Sequence, residues 1–181
     1  MCSSDLVAEF VECDICDPPS HLHGLFDIAF ATYGVLCWQP DLKPWANGIA
    51  SLLKAGGRVI VIDGHPTSCM MEGASLAQLR PVYPYFAGSG PMRFDNESDY
   101  ADPTAAVKNR VAWEWSHSLS ELFSALRSAG FAVDRFEEYP YICWEAFPFL
   151  TRGEDGFWRV AGNEAAIPLM FGMGGILESE R

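Results

Sequence analysis

The chain has 181 residues, 49% of them hydrophobic, enough for one domain with a substantial core. Asp and Glu total 24 against 12 Lys and Arg, a formal net charge of -12 without basic runs, which disfavours a nucleic-acid partner and points to small molecules or protein surfaces. No apolar stretch approaches the roughly 20 residues that span a bilayer, so no membrane partner is expected. No secretory leader is expected, and six Cys in a chain of this length do not read as a disulfide scaffold, so the expected location is cytoplasmic.

At the N-terminus, residues 1–6 do not match the rest of the chain and are expected to be a non-native leader. If Met1 is a GTG start, they back-translate as GTG TGC TCT TCC GAT CT plus one base. That is an adapter-like oligonucleotide joined to a gene that continues upstream; the plain alternative is a disordered terminus. Residues 7–181 are then one partial domain. Ala8 to Ile15 alternates apolar and polar side chains as a strand does, and breaks at Asp17-Pro18-Pro19. Cys13 and Cys16 with His21 and His23 offer a zinc-like set. With Cys13 inside a strand and no second C-x-x-C, no metal is expected.

The chain is organised around Phe26 to Pro66. Phe26 to Ala31 reads as a strand buried on both faces. Pro44 to Leu53 reads as an amphipathic helix with Trp45, Ile49, Leu52 and Leu53 on one side, stopped by Gly56-Gly57. Val59 to Ile62 is a second buried strand. Strand, helix and strand joined by short links predict a βαβ unit with parallel strands, and ligands bind at the carboxyl ends of such strands. Those ends are Ala31-Thr32-Tyr33-Gly34 and Asp63-Gly64-His65-Pro66.

Met70 to Tyr100 lacks clean periodicity and is rich in Pro, Gly and aromatic residues. Residues 82–117 are expected to form a cap that excludes water, with a short hairpin over the site within Val82 to Asp102. Tyr85, Trp113, Trp115 and, from further on, Tyr141 are the aromatic candidates for an acceptor pocket. Ser118-Leu-Ser-Glu121 reads as a capping box opening a helix that carries Leu119, Leu122, Phe123 and Leu126 and ends at Gly130. Phe131 to Phe136 is the next strand, and Ile167 to Gly172 is expected to be the last, antiparallel to it. His65 and His117 are the candidate catalytic bases. His65 equally suits ordering the turn before Pro66, and His117 equally suits donating to a backbone carbonyl near the helix start.

The run FDIAFATYGVLCWQPDL, the segment W-A-x-x-I-A-x-L-L-K-x-G-G-R, the strand ending D-G-H-P, and the later W-x-H-S-L-S-E-x-x-x-A-L-x-x-A-G-F resemble class I S-adenosylmethionine-dependent methyltransferases. The resemblance runs from about Val7 to the C-terminus. It implies an α/β, Rossmann-like sheet, partial at its N-terminal side, with a cap insert before a C-terminal antiparallel hairpin. It also implies S-adenosylmethionine as cofactor and methyl transfer to a small-molecule acceptor. By the same resemblance Asp14 would accept from the adenine amino group and Ile15 would pack on the ring, while Thr32, Tyr33, Gly34 and Trp38 would face the rest of the cofactor. The family's Gly-rich loop after its first strand has no counterpart here, since Gly172-Met-Gly174-Gly175 lacks a strand–loop–helix context. A non-catalytic remnant or interaction protein is therefore the alternative expectation. The oligomeric state is left open.

Overall fold

Two buried helices on one face of a short sheet define the core. The computed structural model describes residues 8–86, 88, 90–95, 108–163 and 167–178. Strand β1 (Phe26–Thr32) leads through a 3-10 turn, Leu36–Trp38, to helix α1 (Leu42–Leu52). Asp41 caps α1, its Oδ1 accepting the Lys43 N–H at 2.8 Å, and Pro44 occupies the first turn, where its missing N–H costs nothing. Strand β2 (Leu53–Gly64) begins directly after α1. A single helical turn, α2 (Pro66–Cys69), follows it. Two ribbons come next: β3 (Met71–Glu72) with β4 (Arg80–Pro81), and β5 (Met92–Asp95) with β6 (Val111–Glu114), both antiparallel. Helix α3 (Leu119–Ser128) and strand β7 (Phe131–Tyr139) lead to a small sheet of β8 (Tyr141–Ile142), β9 (Leu150–Arg152) and β10 (Trp158–Val160), and β11 (Met170–Leu177) closes the series.

The main sheet has the order β1-β2-β11-β7. β1 and β2 run parallel, as a helical crossover requires, and β11 is antiparallel to both of its neighbours. Helices α1 and α3 lie side by side on one face. Leu42, Trp45, Ala46 and Ile49 from α1 and Leu122, Ala125 and Leu126 from α3 pack on Val59, Val61, Phe131, Phe171 and Met173 of the sheet. A second cluster, with Ile142, Phe147, Leu150, Val160, Leu169 and Met170, holds the small sheet against the end of β11. Full burial of each large side chain contributes about 1.5–3 kcal/mol. Among the described residues no helix is long and apolar enough to cross a membrane.

Several expectations are corrected. β1 is not buried on both faces: Ile28 and Phe30 are 58% and 63% exposed, because β1 is an edge strand and the helices cover only the Ala29 and Ala31 side. The alternating segment of residues 8–14 forms no strand, since no described strand offers it a partner. The helix runs Leu42–Leu52 rather than Pro44 to Leu53, and ends ahead of Gly56-Gly57, which fall inside β2 where its register against β1 is irregular. The last strand runs Met170–Leu177, so Gly172, Gly174 and Gly175 are strand residues between β2 and β7. Within α3, Phe123 is exposed. In the expected cap the described part contains the β5–β6 ribbon; residues 87, 89 and 96–107 of it, and residues 1–7, lie outside the described residues.

Candidate functional site

The carboxyl ends of β1 and β2 meet around one buried carboxylate. Asp63 Oδ1 accepts the Gly34 N–H at 2.8 Å and its own following Gly64 N–H at 2.7 Å, with Leu36 N 3.5 Å from Oδ2. Burial pushes the Asp63 carboxyl above its ordinary value, against the lowering pull of these N–H donors. The loop it holds is unusual. Tyr33 has φ +42°, the one positive φ outside glycine among the described residues, and Gly34 follows at φ +86°. Gly34 takes a positive φ freely, but Tyr33 in the left-handed region costs free energy that the Asp63 bonds offset. The loop thereby turns the exposed Tyr33 ring toward Trp144, edge to face at 6.1 Å between centroids. Burial, then Cys143, raises the Tyr33 phenol.

His65 ends β2 and is 3% exposed. Its Nδ1 accepts the Thr67 N–H at 3.1 Å and so caps α2, which leaves Nε2 to donate to Glu138 Oε1 at 2.9 Å. Both ring nitrogens are thus engaged. Burial lowers its pKa from 6.5 more strongly than Glu138 raises it. The unfolded chain then binds the proton more readily than the folded one. Folded stability is full above about pH 6.5 and falls as pH drops through that value toward the lower folded pKa. His65→Asn, which keeps a capping acceptor, is expected to flatten this part of a plot of thermal midpoint against pH. An unchanged slope would remove His65 as its source.

His117 is buried at the start of α3 and donates from Nε2 to Gln39 O at 2.7 Å. Glu121 Oε1 lies 3.1 Å from Nδ1 but off the hydrogen-bonding direction, so that nitrogen is an unsatisfied polar atom. Ser118 Oγ accepts the Glu121 N–H at 3.2 Å, giving the capping half of the expected box, while the Glu121 carboxylate turns to His117.

Asp14 is exposed and its Oδ1 accepts the Cys16 N–H at 2.8 Å in a local turn. Ile15 is half-buried against the core, its carbonyl pressed onto Gly48 in the middle of α1, where no Cβ fits. Thr32 is half-buried at the end of β1, and Trp38 is exposed. The ribbon reaches the loop through Trp115, whose N–H donates to Cys37 O at 2.8 Å. Trp113 is exposed on the ribbon, and Tyr85 packs on Phe86, edge to face, at 4.9 Å. Tyr141 packs with Tyr139 at 5.3 Å and Phe157 at 4.9 Å, under the Arg159 guanidinium. Thr32, Tyr33 and Gly34 thus stand at the end of β1 and His65 at the end of β2, Trp115 meets the loop at Cys37, Tyr141 packs in the second cluster, and Trp113 is outward.

Sequence reasoning missed two contributors, the role of Asp63 and Glu114. Asp63 was legible only as a strand-end residue, although an apolar run ending in Asp-Gly carries a signal for a loop-facing carboxylate. Trp144, which the aromatic run from Pro140 to Arg159 offers beside Tyr141 as a pocket candidate, is the ring that meets Tyr33. Glu114, on β6 just before Trp115, is half-buried, and burial alone raises its carboxyl. Among the described residues its side chain has no hydrogen-bond or ion-pair partner, and its charge helps to push the Cys37 thiol up to about 12, second to burial. No three His, Cys, Asp or Glu side chains converge as a metal site among the described residues. Two open depressions of about 560 and 550 Å³ lie elsewhere, beside Glu72 and Arg80 and between α3 and β7.

No family model matches the chain, and no curated protein matches it. Solved structures do match. A candidate S-adenosylmethionine-dependent methyltransferase from Listeria monocytogenes aligns over 98% of this chain and 73% of its own, with TM-score 0.59 at 10% identity. One from Mesorhizobium loti aligns over 96% and 71%, with TM-score 0.58 at 16% identity. One from Methanosarcina mazei aligns over 96% and 69%, with TM-score 0.53 at 14% identity. The chain shares its fold with these structures. The partial, mixed α/β sheet of this chain is similar to theirs, and identities this low establish the fold alone.

Proposed function

We propose that the chain is built for S-adenosylmethionine-dependent methyl transfer to a small-molecule acceptor. The observation that carries this reading is the Asp63-clamped turn, which holds Tyr33 and Gly34 in the left-handed region at the ligand-binding end of a parallel strand pair. The residues present suit the cofactor in part. Asp14 has a second, unengaged carboxylate oxygen for an amino group, and Ile15 offers an apolar surface beside it. Thr32 and Gly34 line the loop. The exposed rings of Tyr33, Trp144 and Trp38 suit a cationic sulfonium. When bound, that cofactor supplies an electrophilic methyl group.

The protein's own part is positioning, which for an in-line displacement supplies much of the rate. Tyr85, Trp115 and Tyr141, with the β5–β6 ribbon as cap, would orient an acceptor, and Trp113 would join them only if the ribbon turns. Where an acceptor must lose a proton, Glu114 presents a free carboxylate, whereas both nitrogens of His65 are engaged and His117 is buried. The five described cysteines are free thiols, which suits a reducing compartment.

A second reading has its own observation. The open edge of β1, with Ile28 and Phe30 exposed, is what a non-catalytic remnant or interaction protein would present. Calorimetric titration of S-adenosylhomocysteine into the folded chain separates the two. Micromolar binding is expected. No heat of binding from a chain with native circular dichroism would remove the enzyme reading for this polypeptide.

A further inference from the structure

The inner face of the β5–β6 ribbon carries a carboxylate that the fold does not use. Met92, Phe94, Ala112 and Glu114 are half-buried on that face, and the residues between them are exposed. Glu114 stands opposite Met92, beside the Phe94–Ala112 pair. Contacts on either side of it fix what it faces. The next residue, Trp115, donates its N–H to Cys37 O at 2.8 Å, and Cys37 Sγ donates to Gly34 O at 3.3 Å, which ties this end of the ribbon to the Tyr33–Gly34 turn. Tyr83 packs on Phe94 with ring centroids 5.6 Å apart. Cys69 and the Trp144 ring lie together against Gly64 at the end of β2. Burial raises the Cys37 and Cys69 thiols, the bond to Glu72 raises the Tyr83 phenol, and the Glu114 charge adds to all three. The carboxylate thus faces the carboxyl ends of β1 and β2.

The other carboxylates near this point have structural work. Asp63 accepts the Gly34 and Gly64 N–H groups, and Glu72 accepts the Tyr83 hydroxyl at 2.6 Å. Two arginines share the ribbon with Glu114, yet both turn to Asp95 at its opposite end, Arg110 at 2.9 Å and Arg93 at 3.8 Å. A half-buried carboxylate without a counter-charge is costly, and a cation brought by a ligand removes that cost. The rings of Tyr83, Phe94 and Trp144 favour the same sign of charge. An anionic ligand would meet repulsion here, and a neutral one would leave Glu114 unpaired.

Resting on the methyl-transfer reading, we propose that the acceptor is a basic amine, held as its ammonium ion by Glu114 beneath the β5–β6 ribbon, with its apolar body against Tyr83 and Phe94. The ammonium donates hydrogen bonds to the carboxylate, and this pair selects amines over alcohols and acids of the same shape. Glu114 is also placed to take one ammonium proton. The N–H bond breaks, an O–H bond forms on the carboxyl, and the nitrogen keeps the electron pair that a nucleophile needs. Burial, which raises the Glu114 carboxyl, favours that transfer.

Calorimetric titration of three probes into the full chain at neutral pH, with and without S-adenosylhomocysteine, is the test. Phenethylamine is the cation, phenethyl alcohol its neutral counterpart and hydrocinnamate the anion. Phenethylamine is expected to bind about tenfold or more tightly than either of the others, and less tightly as salt is added. Glu114→Gln, which removes the charge and keeps the shape, is expected to bring the amine down to the level of the alcohol, with native circular dichroism and wild-type affinity for S-adenosylhomocysteine. Absence of amine binding, or equal binding of the three probes by the wild-type chain, overturns the proposal. So does amine binding that survives Glu114→Gln, or a variant that loses S-adenosylhomocysteine instead, since Glu114 then serves the cofactor. Glu114-dependent amine binding by a chain that does not take S-adenosylhomocysteine upholds the ammonium site and counts against the methyl-transfer reading alone.

Discussion

Asp63→Ala is expected to lower stability by about 2–4 kcal/mol and to weaken S-adenosylhomocysteine binding more than tenfold. The substitution leaves the Gly34 and Gly64 N–H groups without their acceptor in a buried setting, each at about 1–3 kcal/mol. It also removes what holds Tyr33 and Gly34 at positive φ, so the loop is free to relax to ordinary backbone angles. Asp63→Asn keeps one oxygen and is expected to fall between wild type and Ala in both measurements. The pH dependence gives a separate check. Because the folded pKa of Asp63 is raised above 3.8, the folded chain holds this proton more tightly than the unfolded one. Its contribution to stability is full below that value and is lost as pH rises through the folded pKa, and Asp63→Asn should remove that slope. Denaturant unfolding and calorimetry make both comparisons. Wild-type affinity in the Ala variant would mean that the clamped turn is not part of a cofactor site.

Gly48→Ala tests the other side of the candidate site, with two effects of opposite sign. In a helix interior, Ala is favoured over Gly by about 1 kcal/mol, so propensity alone predicts a more stable chain. Here the added Cβ would fall on the Ile15 carbonyl, closer than any real contact, and backbone on both sides must move. The expected net result is a destabilisation of about 1–3 kcal/mol, typical of overpacking. A shift of Asp14 and Ile15 away from α1 should accompany it, with weaker S-adenosylhomocysteine binding in the same variant. A gain in stability would show that residues 14–16 detach from α1 at no cost and that their packing does not shape the site.

The parts of the fold legible in the sequence are those with local causes. Ser118 announces a helix start because its side chain caps an N–H group within the first turn, whereas the Asp41 cap, ahead of the expected start at Pro44, emerges only in the structure. Val59 to Ile62 is apolar enough to be a strand in any context, and a short helical link between two such runs leaves parallel pairing as the natural arrangement. The site was legible only in outline. A parallel sheet binds at its strand ends, so Thr32, Tyr33, Gly34 and His65 could be named from position. Their partners could not: Glu138 is 73 residues from His65, Gln39 is 78 from His117, and no local pattern carries those distances.

By itself, then, the sequence determined the helix capped by Ser118, the parallel β1–β2 unit and which loops lie at its ligand-binding end. Each of these comes from hydrophobic period, capping chemistry and chain connectivity. Only the tertiary structure decided that β11 slips between β2 and β7, that both helices take one face and leave Ile28 and Phe30 uncovered, and that residues 8–14 find no strand to pair with. It alone made Asp63 the clamp of the Tyr33–Gly34 turn and Gly48 the seat of Ile15. The physical reason is the same in each case: side-chain pattern encodes what a segment buries, whereas which segment covers it depends on contacts between residues far apart in the chain.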